Sequence, residues 1–223
     1  MSISNVSDSI TDEQFNEILE PYKSEIDKKM SEVIAHSDEG MASFRPESPL
    51  SNFLTDMVLK SARDYCDENN MQVKPKIALF NHGGIRASLP EGKITVRNAY
   101  EIMPFENELV MVKLTGEQVI SLADYISTRR GEGVAGITFG MMPDKAVDIK
   151  VQGMKVDKNK NYWLATNDYI ANGGDGMKVL TWASERIDTG IKIRSIIVEH
   201  LKEMNEKGKT ADAKSDGRIY YVD

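Results

Sequence analysis

The sequence predicts a mixed α/β fold, an α+β arrangement of mixed sheets with helices outside, and three observations predict it. Amphipathic runs at helical spacing interleave with short apolar runs of strand length, along the whole chain. The interleaving lacks the strict strand–helix–strand rhythm of a purely parallel sheet. At 223 residues, with 40% hydrophobic and 28% charged side chains, the chain is of the ordinary globular kind and long enough for one sizeable core, or at most two small domains.

A polar, Ser-rich head over residues 1–10 precedes a domain over residues 11–223. Ser9 or Thr11 is suited to cap a helix starting near Asp12. Phe15, Ile18, Leu19, Tyr22, Ile26, Met30 and Val33 recur at helical spacing, so one stripe is expected to face the core. Pro21 inside that pattern is expected to kink or split the helix. Val33 to His36 is expected to be extended, ahead of a loop around Gly40 and a proline-stiffened link, Phe44 to Pro49, that carries Arg45. Leu50, Phe53, Leu54, Met57, Val58 and Ala62 mark a second amphipathic helix through Asp67, ended by Asn69-Asn70.

Ile77 to Phe80 reads as a short buried strand, and Pro90 to Lys93 as a turn. Thr95 is expected to cap a short helix through Ile102, closed by Pro104. Leu109 to Leu114 reads as a strand, and Thr115 opens a helix to about Arg130. Gly131 to Gly140 reads as a glycine-rich loop entering a strand around Ile137 to Phe139. Val147 to Val156 alternates apolar and polar side chains with a turn at Gly153. The loop Asp157 to Asn161 leads to a strand over Tyr162 to Thr166. A last helix is expected over roughly Ile191 to Glu206, and a closing strand over Arg218 to Val222. Cys66, the sole cysteine, is expected to be a buried structural thiol, and Trp163 and Trp182 to be core residues.

The formal net charge of −7 argues against general nucleic-acid binding, since no basic field covers the molecule. No run approaches the ~18 apolar residues of a membrane span. The chain as given shows no apolar signal-peptide core, so it is either cytoplasmic or lacks a targeting segment that was removed.

Two glycine-pair segments organise the functional reading. Asn81-His82-Gly83-Gly84-Ile85-Arg86 follows the apolar run at Ile77 to Phe80, and Asn172-Gly173-Gly174-Asp175-Gly176 follows a second apolar run. Adjacent glycines after a strand allow positive φ and let a ligand approach main-chain N–H groups. Asn81 offers a donor and an acceptor at a strand's carboxyl end, where open α/β sheets hold ligands. Arg86 offers a planar fork for a phosphate or carboxylate. Taken alone, the first hexapeptide also reads as a tight turn with a surface Arg. The second loop makes a shared site the better reading.

Four segments then occur in order: Asn81 to Arg86, Met103-Pro104-Phe105-Glu106-Asn107, Lys113-Leu114-Thr115-Gly116, and Thr166 through Gly176. Together they resemble the C-terminal, substrate-binding domain of the 5′-nucleotidase family, which includes UDP-sugar hydrolases and 2′,3′-cyclic phosphodiesterases. The resemblance covers nearly the whole chain. It implies a four-layer α/β/β/α sandwich in which two aromatic rings hold a nucleobase between them. By position, Phe105 resembles the first ring and Tyr169 the second, where other members often carry Phe. Asn81 resembles the residue that bonds the base, Asp175 the one that binds the ribose hydroxyls, and Arg86 a phosphate-holding arginine, with Gly83 and Gly84 in the same loop. Arg45 is the candidate for a further phosphate-side arginine. His82 stands where many relatives have Gly, and has no assigned role. For Phe105 and Tyr169 plain core packing is the alternative, and for Asp175 a turn residue satisfying its own backbone.

The resemblance also implies what to look for elsewhere, a metallophosphatase domain with a two-metal site. His36, His82 and His200 are the only histidines, and none stands in the ligand motifs that the family leads one to seek. No catalytic residue and no cofactor is therefore expected in this chain, with divalent metals expected only in a partner phosphatase domain or subunit. The leading reading is a nucleotide-recognition domain of a 5′-nucleotidase-type hydrolase, working outside the cytoplasm as the family implies. The alternatives are a free-standing nucleotide- or nucleoside-binding protein, and a degenerate interaction domain with an unused pocket.

Overall fold

A computed structural model describes residues 13–222. The polar head, the Ser9 or Thr11 cap and the side chains of Phe15 and Ile18 lie outside what it describes. The first half of the chain forms α1 (Glu13–Met30), β1 (Val33–Ser37), α2 (Pro49–Glu68), β2 (Ile77–Phe80), β3 (Gly92–Thr95), α3 (Val96–Ile102), β4 (Glu108–Thr115) and α4 (Gly116–Thr128). The second half forms β5 (Gly133–Ala135), β6 (Ile137–Met141), β7 (Ala146–Val151), β8 (Met154–Lys155), β9 (Asn161–Asn167), α5 (Asp168–Ala171), β10 (Glu185–Lys192), α6 (Ile193–Glu206) and β11 (Ile219–Tyr221).

Local chemistry starts the helices where the sequence predicts. Ser48, Thr95 and Thr115 are N-caps whose hydroxyls accept from the backbone N–H three residues on, and each forms a reciprocal capping box. Pro49 occupies the first turn of α2, where its missing N–H costs nothing.

The mixed α/β architecture is observed. A five-stranded sheet of order β10-β4-β9-β2-β5 is antiparallel except for the parallel pair β9-β2. Its two faces bury different side chains, because strand residues alternate. Ala78, Phe80, Leu109 and Met111 enter a core shared with α2, α6 and the small β1-β3 sheet. Ile77, Leu79, Val110, Val112 and Leu114 enter a second core shared with α4 and a four-stranded sheet of order β11-β6-β7-β8. Cys66 is buried against the Met111 sulfur at 3.6 Å, a packing role for the thiol.

Several expectations are corrected. Tyr22 and Ile26 are 65% and 55% exposed, so the α1 stripe does not face the core there; α1 lies outside, touching α3 and tied to it by Asp27–Arg97 at 2.9 Å. The helix runs unbroken through Pro21 rather than splitting. Gly92 and Lys93 belong to β3, not a turn, because β1 supplies backbone partners. β5 and β10 were not legible, being short or polar strands defined by their neighbours. Trp182 is 65% exposed at the end of a 3₁₀ turn, whereas Trp163 is partly buried on the first core.

His200 sits edge-on to Phe53, ring centroids 6.3 Å apart, on α6. Burial, helped by the nearby Lys60 charge, pushes its pKa below the ordinary 6.5. The folded state therefore favours the neutral ring while the unfolded chain takes up a proton at the ordinary value. Stability should be intact above that value and fall as pH drops through and below it. Chemical denaturation between pH 8 and 5 checks this, with His200→Leu expected to flatten the slope in that window.

Candidate functional site

Sheet topology brings four segments to one edge. Because β2 and β9 are parallel neighbours, with Ile77 beside Leu164, the loops leaving their carboxyl ends emerge together. These are the two Gly-Gly loops. β4 runs antiparallel to β9 with Leu109 opposite Asn167, so the Phe105–Asn107 segment preceding β4 reaches the same edge. β5 runs antiparallel to β2 with Gly133 opposite Phe80, which delivers Arg129 to Glu132 there as well.

A cleft of about 400 Å³ opens at this edge, lined by Asn81, Gly83, Gly84, Arg86, Phe105, Asn107, Tyr169 and Asp175. All the sequence-predicted site residues except Arg45 are brought together. Phe105 and Tyr169 are 43% and 46% exposed, so plain core packing does not account for either ring.

Each ring is held by its own supports. Arg194 donates to the Met103 and Pro104 carbonyls at 3.3 and 3.2 Å, pairs with Glu106 and stacks on Tyr100 at 4.0 Å, fixing the segment that presents Phe105. The Asp168 carboxylate accepts from the N–H groups of Glu108 and Tyr169 at 3.1 and 3.0 Å, tying the start of β4 to α5. Gly174 lies against the Tyr169 ring; a Cβ there would sit 2.6 Å from ring carbons. Any larger residue at 174 would have to displace the ring.

Asp175 is the polar centre. It holds a left-handed backbone conformation, φ 51°, which Asp tolerates better than most residues. Its carboxylate accepts from Asn81 Nδ2 at 2.8 Å and from the Tyr169 hydroxyl at 3.1 Å. Asn81 is itself buried and accepts from Asn167 Nδ2 at 3.1 Å, so it acts as a strut under Asp175 as well as a lining residue. Arg86 is exposed, with its guanidinium donating to the Gly83 carbonyl at 3.3 Å.

Arg45 is not among the lining residues. Its Nε donates to the Gly131 carbonyl and its Nη2 to the Glu132 carboxylate, both at 2.8 Å. The reason is a buried acid that the sequence reading passed over: Glu132 has no exposed side-chain surface and draws in both Arg45 and Arg129. Burial works against the Arg129 charge, but the Glu132 hydrogen bond and field, with Tyr125 and Asp175 adding, hold its pKa above the ordinary value. Asn107, the last residue of the Met103–Asn107 segment, lines the cleft as well. His82 does not line the cleft; its backbone N–H goes to Glu132. Among the described residues, no group of three or more His, Cys, Asp or Glu side chains is arranged to hold a metal ion. No helix among them is long and apolar enough to cross a membrane.

Comparisons with known proteins agree with one another on a family. The family model described as "5′-nucleotidase, C-terminal domain" matches residues 33–182, which contain both Gly-Gly loops. The trifunctional nucleotide phosphoesterase protein YfkN of Bacillus subtilis is 30% identical over 225 residues, 92% of this chain but 15% of YfkN. Protein UshA of Escherichia coli is 31% identical over 140 residues, 60% of this chain and 25% of UshA. The crystal structure of a 5′-nucleotidase precursor from Thermus thermophilus superposes with a TM-score of 0.77 at 31% identity, covering 95% of this chain and 44% of that one. The chain thus spans less than half the length of each of these proteins. With more than half of its residues matched by the family model, the chain belongs to the 5′-nucleotidase C-terminal domain family.

Proposed function

We propose that this chain is the nucleotide-recognition domain of a 5′-nucleotidase-type hydrolase, acting outside the cytoplasm with a separate metallophosphatase domain or chain that performs the hydrolysis. The observation that carries the reading is one cleft that joins two exposed rings, a braced carboxylate and an exposed arginine. A base between Phe105 and Tyr169 would gain stacking on both faces. Asp175 would accept from the ribose hydroxyls, and Arg86 would face the phosphate. Asp175 carries the wrong charge for a phosphate, so the two loops divide the ligand between them.

Calorimetric titration of the chain with AMP and adenosine tests this. AMP should bind more tightly, and Arg86→Ala should cost AMP roughly 1.5–3 kcal/mol, the value of a charge-assisted hydrogen bond, while adenosine changes little. The AMP advantage should shrink as salt is raised, because a partly exposed ion pair is screened. An unchanged AMP-to-adenosine ratio in the Arg86 variant would reduce that residue to a turn element. The chain alone is expected to hydrolyse neither ligand.

A further inference from the structure

Arg45, Glu132, Arg129 and Asp175 alternate in charge along one line that starts outside the cleft and ends inside it. The same Glu132 oxygen accepts from Arg45 Nη2 at 2.8 Å and from Arg129 Nε at 2.6 Å, and the other accepts from the His82 N–H. A carboxylate with no exposed surface has no water shell, so these donors replace it. Arg129 is anchored at its Nε and reaches onward with its other nitrogens. Nη1 donates to the Asp175 carbonyl at 3.1 Å, and Nη2 lies 3.7 Å from Asp175 Oδ2. Tyr125 adds a second bond to that carbonyl at 2.8 Å. Asp175 is thereby held from behind, by groups that do not line the cleft.

The acceptor arithmetic suits one kind of ligand group. An ionised carboxylate has about four acceptor positions. The close bonds from Asn81 and Tyr169 take one on each oxygen. One position on each oxygen is left for a ligand, which matches two adjacent hydroxyls rather than one. We propose that Arg129, seated by Glu132, is a positioning residue that fixes Asp175 for a vicinal diol; this rests on the nucleoside reading of the cleft. It also gives Glu132 its use: a guanidinium with one end clamped by a buried acid cannot swing away from Asp175.

Adenosine, 2′,3′-dideoxyadenosine and adenine separate this from a merely structural role. The wild-type chain should prefer adenosine to the dideoxy analogue. Arg129→Met should reduce that preference about three- to tenfold, the size of one ordinary hydrogen bond, with adenine affinity unchanged. Glu132→Gln should move the preference in the same direction by less, since Arg129 keeps its bond to the Asp175 carbonyl. If Arg129→Met does not fold, Arg129→Lys replaces it, keeping the charge but not the fork, and the preference must still fall at least about twofold. A preference that survives substitution of Arg129, or a parallel loss for all three ligands, overturns the proposal alone. A wild-type chain that binds none of the three overturns the nucleoside reading and the proposal together.

Discussion

Truncation of Tyr169 to alanine is expected to remove roughly 1–3 kcal/mol of nucleoside affinity through the lost stack. A further ~0.5–1.5 kcal/mol should go with the hydroxyl that donates to Asp175. Phe105→Ala should show the stacking loss alone, and Tyr169→Phe the hydroxyl loss alone, so the three variants separate the two contributions. Both rings are nearly half exposed, and the melting temperature should therefore move little. Titration calorimetry with a parallel thermal melt checks this. A large stability loss with affinity intact would mean that the rings serve the core and not a ligand.

The opposite signature is expected one strand away. Phe80 is fully buried at the end of β2, immediately before Asn81, and fills the first core. Phe80→Ala should cost about 3–5 kcal/mol of folding stability, from lost transfer and the cavity left behind. Gly84 is positioned against the Phe80 ring, where a Cβ would stand 3.0 Å away, so the first loop loses its floor as well. Urea titration measures the stability loss. A loss below about 1 kcal/mol would show that the site collapses to fill the void.

What the sequence made legible follows the range of the interactions involved. Thr95 and Thr115 could be recognised as caps because the capped N–H lies three residues on, within one window of sequence. The Gly-Gly loops were legible because strand, glycine pair and polar residue are contiguous. β5 and β10 were not, because a three-residue or mostly polar strand is defined by the neighbour it bonds. Glu132 shows the limit most clearly. In sequence it is one acid in a glycine-rich loop, and its partner Arg45 lies 87 positions away. That pairing removes Arg45 from the lining of the cleft, where family position alone had put it. Trp182 fails for the complementary reason: a large apolar side chain is not obliged to be inside.

The parallel contact of β2 with β9 has a kinetic consequence. Asn81 and Asp175, which bond to each other in the wall of the cleft, are 94 positions apart in the chain. Closing so long a loop is entropically slow, and parallel pairing rewards it only once the intervening strands are in register. The ligand site therefore cannot form from any fragment that lacks either half. Binding competence should arrive in the final step of refolding, which makes a bound nucleoside a reporter of completed topology rather than of early collapse.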